Sequence, residues 1–122
     1  MFGTPVAIAE DVVPVQIIEV KEPTVEEMII EYATLKGVDP DLALRIARCE
    51  SNFNPKAKNP NSSASGVYQW IKGSFEYYGK LYWKDDYYQK DRFNPKDNIE
   101  LAIWVISTKG TSDWTESRHC WQ

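Results

Sequence analysis

Ile46-Ala47-Arg48-Cys49-Glu50-Ser51-Asn52-Phe53-Asn54-Pro55 is where a helical pattern meets a loop, and its reading decides the fold. Upstream, Leu42, Ala43, Ile46, Ala47 and Glu50 recur at three- and four-residue intervals, the spacing of one helix face. Downstream, Asn, Pro and Ser take over. A lone carboxylate therefore stands on the inward side of a helix at its very end. Two effects favour its protonated form there. The last helical turn presents unpaired carbonyls and the negative end of the helix dipole, and apolar neighbours desolvate a charge. Glu50 is expected to hold a proton and serve as a general acid.

The helix carrying Glu50 starts at Asp39-Pro40, an N-cap followed by the residue suited to the first helical position. Before it, Thr24-Val25-Glu26-Glu27 matches a capping box. Val25, Met28, Ile29, Tyr32 and Leu35 then give one buried face, and Gly37 stops that helix. Residues 52 to 66, with Pro55, Pro60 and Gly66, predict a loop that pairs with Val67 to Ile71 as a small hairpin. From Ser74 to Tyr88 runs an aromatic cluster of Phe75, Tyr77, Tyr78, Tyr82, Trp83, Tyr87 and Tyr88, read as a short helix and an irregular crossing. Asn94-Pro95 opens a third strong helix, with an apolar stripe of Ile99, Ala102, Ile103 and Ile106 that ends before Gly110. Ser112 or Asp113 begins a short terminal helix bearing Trp114, Cys120 and Trp121. Residues 1–22 hold Pro5 and Pro14 among Val and Ile without helical period, and read as an extended arm or linker ahead of a domain at 23–122. The fold class is mainly α, a small helical domain with one short β-hairpin near its groove.

At 122 residues there is room for one domain and one modest core. The 13% aromatic content is mostly Trp and Tyr, rings with a polar tip that serve cores and sugar sites alike. A net charge of -4 without a basic run lacks the phosphate-tracking signature of nucleic-acid binders, so no nucleic-acid partner is expected. No stretch reaches the roughly 20 apolar residues of a membrane span. Residues 1 to 20 lack the basic start and apolar centre of a signal peptide, so Met1 fits either a start after a removed leader or a leaderless protein. Nothing suggests more than a monomer. Cys49 and Cys120 lack the close-paired spacing of zinc ligands, and His119 is the one histidine, read as a surface or packing residue, so no metal site is expected. The cysteines form a disulfide or stay as two buried thiols. A bridge would close a loop of about 70 residues, stabilise by roughly 4 kcal/mol on the chain-entropy picture, and imply an oxidising compartment.

Glu50-Ser51-Asn52-Phe53-Asn54-Pro55-Lys56-Ala57, followed by Ser65-Gly66-Val67-Tyr68-Gln69-Trp70, resembles the E-S-x-F-x-P-x-A and G-L-M-Q signatures of the lytic transglycosylase SLT domain, a lysozyme-like fold. Asn98-Ile99 to Ile106 resembles the N-I-x-x-A-x-x-Y-L helix of the same pattern. A Cys directly before the Glu and a second Cys beside a C-terminal Trp are similar to the resuscitation-promoting factors, a related group in which such cysteines pair. The resemblance covers residues 24 to 122. It implies that Glu50 is acid and then base, that Gln69 hydrogen-bonds the substrate or the surroundings of the Glu, and that Ser65 and the Tyr68 ring line the groove floor. Val67-Tyr68 replaces Leu-Met, and the A-Y-N-A-G segment that supplies a tyrosine near the acid is absent; Tyr82, Trp83 or Trp114 is expected in that role.

The implied substrate is peptidoglycan, cut between N-acetylmuramic acid and N-acetylglucosamine without metal or organic cofactor, by a protein that is secreted, periplasmic or associated with the cell wall. Most glycosidases use two carboxylates, yet one suffices when the sugar's own acetamido group or C6 hydroxyl replaces the nucleophile, which gives a 1,6-anhydro product. Asp85, Asp86, Asp91 and Asp97 read as solvated charges or caps, or as a hidden second carboxylate. That leaves two alternatives, a lysozyme-type muramidase and a non-catalytic module that binds wall glycan.

Overall fold

Thr24 begins the ordered helical array in a computed structural model that describes residues 21–122. The expected arm falls outside the described residues except for Lys21 and Glu22. The Thr24 side chain accepts from the Glu27 backbone at 3.1 Å while Glu27 Oε1 accepts from the Thr24 backbone at 2.8 Å, the reciprocal box that starts α1, Val25–Lys36. Gly37 closes it at φ 72°, a left-handed value that a residue without Cβ adopts freely. Ile29 and Ala33 are buried on α1, whereas Leu35, expected on the inward face, is 72% exposed. Its spacing from Tyr32 carries it past the edge of the stripe, and Ala33 takes the inward place.

α2, Pro40–Ser51, is capped by Asp39, which accepts from the Asp41 backbone at 3.0 Å, and buries Ala43, Ile46 and Ala47. It stops abruptly because Asn52 and Phe53 both have positive φ, 53° and 64°. α3, Lys72–Trp83, is a full twelve residues rather than a short piece, and a 3-10 helix at Lys84–Gln89 folds back over it. Gly79 permits that return: a Cβ there would lie 2.7 Å from the Tyr87 ring. α4, Pro95–Lys109, starts at Asn94, whose side chain accepts from the Lys96 and Asp97 backbones. Ile99, Leu101, Ala102, Ile103 and Val105 are wholly buried, so α4 is apolar nearly all round and forms the centre, packed against α1 and α3. The expected terminal helix is split into a 3-10 helix, Ser112–Ser117, and a four-residue α5, Arg118–Trp121, with non-helical angles at Trp114.

Residues 52–71 depart from the expected hairpin. They form two isolated antiparallel bridges, Lys58 with Ser65 and Ser65 with Trp70, and no strand. The reason is local: Asn54 and Asn59 side chains accept from the backbone two residues on, as does Ser62 from Ala64, so these groups serve turns instead of a ladder. The mainly α class stands.

Candidate active site

The end of α2 is pinned from two sides. Ser51 Oγ donates to the Val67 carbonyl at 2.7 Å, tying the helix end to the 65–70 turn. Cys49 is bridged to Cys120, and Arg45 Nε donates to the Trp121 carbonyl at 2.9 Å, so α5 is strapped along α2. Between these anchors Glu50 faces a groove of about 400 Å³.

The groove's inner wall depends on Asn98 of α4. Its fully buried amide donates to the Ser65 and Arg92 carbonyls at 3.0 and 2.9 Å and accepts from the Tyr68 backbone at 2.9 Å. Gly66, at φ 81°, lies so close that a Cβ would be 2.3 Å from Asn98 Nδ2. The glycine of one sequence motif and the asparagine of another thus meet in a close approach, and the amide's bonds to Ser65 and Tyr68 on either side of the glycine shape the turn. Gln69 also has positive φ, 55°, and its Nε2 donates to Gly66 and Ala57 carbonyls, bracing its own turn.

Three carboxylates reach the groove, Glu50, Asp113 and Glu116; Tyr68 and Trp114 supply rings, and Asn59, Ser62, Gln69 and Ser74 supply neutral polar groups. Rings for the apolar faces of a sugar and neutral groups for its hydroxyls suit a carbohydrate. Glu50 is half-buried, and that burial raises its pKa above the usual carboxylate value; the Ser117 hydrogen bond opposes the rise and the charge of Glu116 adds to it. Ser117 Oγ donates to Glu50 Oε2. Among the described residues, no set of three His, Cys, Asp or Glu side chains is arranged to hold a metal ion.

The sequence-predicted residues separate into two groups. Glu50, Tyr68, Gln69 and Trp114 line the groove. Tyr68 contributes its ring to the floor, 1% exposed, with its hydroxyl turned away to donate to the Ala43 carbonyl at 2.7 Å. Burial raises the pKa of that hydroxyl well beyond the physiological range. Trp114 packs edge-on against Tyr68 and Trp70, and its Nε1 donates to the Tyr68 carbonyl at 3.1 Å. The Gln69 amide nitrogen serves the loop rather than a ligand. Ser65 does not line the groove: it is buried, its hydroxyl donates to the Ser63 carbonyl at 3.0 Å, and its backbone forms both bridges.

Tyr82 and Trp83 also fall outside the groove. They sit at the end of α3, where Tyr82 donates to Glu100 at 2.9 Å and stacks on Trp104 at 4.9 Å, while Trp83 packs on Phe75 and Tyr82. Asp85, Asp86, Asp91 and Asp97 do not reach it either; Asp97 accepts from the Asp91 backbone at 3.0 Å and Asp91 from Phe93 at 2.9 Å. His119 is exposed on α5. Asp113, Glu116 and Ser117 were missed by sequence reasoning. Their one signal was acids and a hydroxyl flanking Trp114 in Ser112-Asp113-Trp114-Thr115-Glu116-Ser117.

A family model described as "Transglycosylase SLT domain" matches residues 27–112, well over half of the chain. No curated protein and no solved structure matches it.

Proposed function

The chain belongs to the transglycosylase SLT domain family, whose function is of the lytic-transglycosylase type and directed at peptidoglycan, and from that premise we propose that Glu50 alone performs the cleavage. The scissile bond is the β-1,4 link between N-acetylmuramic acid and N-acetylglucosamine. Protonated Glu50 gives its proton to the bridging oxygen as the glycosidic bond breaks, and an oxazolinium or oxocarbenium-like sugar forms. The resulting carboxylate takes the proton of the sugar's C6 hydroxyl, whose oxygen closes on the anomeric carbon to leave a 1,6-anhydro end. Partial burial favours the acid form needed first, and the Ser117 hydroxyl supports the carboxylate that follows. The observation carrying this reading is that Glu50 is a groove carboxylate with a raised pKa at the conjunction of the two sequence motifs. A disulfide fits action outside the reducing cytosol, in a secreted, periplasmic or wall-associated setting.

Digestion of purified peptidoglycan followed by mass spectrometry tests it. Anhydro ends from the native protein and none from Glu50→Gln are expected; equal activity of the two would overturn the assignment of Glu50. A second reading, a muramidase, is favoured by Asp113 and Glu116 in the same groove, since either supplies a base for water. It yields reducing ends instead.

A further inference from the structure

Ser117 lies beyond residues 27–112, the segment shared with the family, yet its hydroxyl is the side-chain group that meets Glu50. A serine oxygen carries one hydrogen and two lone pairs. Two acceptors compete for that hydrogen, Glu50 Oε2 and the Trp114 carbonyl oxygen at 3.1 Å. Trp121 decides between them. Its Nε1 lies 3.1 Å from Ser117 Oγ and 3.2 Å from the Trp114 carbonyl oxygen, so the indole N–H loads the rival acceptor and polarises the serine oxygen at once. The hydrogen is left to Glu50.

Resting on the reading of Glu50 as acid and then base, we infer that Ser117 is a positioning residue that reserves Oε2 as an acceptor, so that the proton to be transferred resides on Oε1, with Trp121 holding the serine hydrogen in that direction. Two equivalent oxygens become distinct. When the proton leaves, the Ser117 bond becomes charge-assisted and therefore stronger, without any group having to move. The disulfide at Cys49 and Cys120 and the Arg45 contact to the Trp121 carbonyl keep α5, and with it Ser117, against α2. The charged groups around the pair are few: Glu116 and Asp113 line the groove from the 3-10 helix, Arg45 of α2 is engaged by Asp41 and Trp121, Arg118 of α5 donates to Gln122, and His119 is exposed.

Ser117→Ala, Ser117→Thr and Trp121→Phe test the inference on two readouts, steady-state cleavage across pH and a carboxyl NMR titration of Glu50. Ser117→Ala is expected to lower kcat by about ten- to a hundredfold with KM little changed. It also removes a bond that favours the ionised form, so the Glu50 pKa and the alkaline limb of the activity profile both move to higher pH. Ser117→Thr keeps the hydroxyl and restores both readouts, and Trp121→Phe moves both in the same direction by less. A Ser117→Ala protein with native kcat and an unmoved Glu50 titration would overturn the inference, even where Glu50→Gln is inactive. If Glu50→Gln keeps full activity, the role of Glu50 fails instead, while the titration still reports whether Ser117 acts on it.

Discussion

Gly66→Ala and Asn98→Ala each place a defect in the same contact, and the two losses are expected to cancel in part when combined. An alanine at 66 must adopt φ 81°, which costs an L-residue about 1–2 kcal/mol. Its Cβ also meets Asn98 Nδ2 at 2.3 Å and Cγ at 3.0 Å. Asn98 has no free direction to retreat, because its amide is bonded to Ser65, Arg92 and Tyr68. Displacing it breaks at least one buried bond, about 1–3 kcal/mol more. Asn98→Ala alone leaves the buried Tyr68 N–H without its partner, a loss of about 1–3 kcal/mol, while the Ser65 carbonyl keeps the Trp70 N–H at 3.0 Å. In the double variant the obstructing amide is gone and the next neighbour, the Arg92 carbonyl oxygen at 3.5 Å, is at ordinary contact distance. Only the backbone cost of about 1–2 kcal/mol then remains at position 66. The pair should therefore be more stable than the sum of the single losses by about 1–3 kcal/mol. Urea unfolding of the oxidised proteins at constant m measures it, since a small domain with its disulfide intact unfolds in two states. Additivity within about 0.5 kcal/mol would refute the close approach as the reason a glycine stands at 66.

Reduction of the Cys49–Cys120 bridge, which spans 71 residues, should remove roughly 4 kcal/mol of stability on the chain-entropy picture. Calorimetry with and without reductant reads it as a lower Tm, and an unchanged Tm would contradict it. Glu50→Gln should stabilise the fold at neutral pH. The folded pKa of Glu50 is raised, so the unfolded chain loses the proton first, and native stability falls as pH climbs through the unfolded and then the folded value. The glutamine carries no such penalty, and its advantage should disappear in acid, where both states of the native protein keep the proton. A stability difference independent of pH would show that Glu50 does not titrate as its burial requires.

The helix starts were legible because their causes are local. Thr24 with Glu27, Asp39 before Pro40 and Asn94 before Pro95 satisfy backbone donors no more than three residues away, and the structure places caps at these positions. The inward side of α2 was equally plain from its spacing, and Glu50 came with it. The loop between α2 and α3 was not, because Asn98, roughly 30 residues downstream, organises the turn that sequence pattern assigned to a strand. Aromatic residues gave a sharper lesson. Tyr82, Trp83 and Trp114 look alike as candidates for a groove, but hydrophobicity states that a ring will be buried and not against what. Packing on α4 took Tyr82, and packing within the α3 cluster took Trp83. The return of the C-terminal segment put Trp114 beside Glu50.

By itself, the chain of amino acids determined the family motifs, the capped helices and a carboxylate turned inward at a helix end, all set by interactions spanning a few residues. Only the tertiary structure decided which groups surround that carboxylate. Ser117 is 67 positions from Glu50 and Arg45 is 76 from Trp121, and such partners are chosen by how α5 packs and bridges back onto α2. No local periodicity encodes that closure. Its free energy comes from burying apolar surface and joining two cysteines 71 residues apart, so the hydroxyl that meets the acid becomes visible only once the C-terminal segment has packed onto α2.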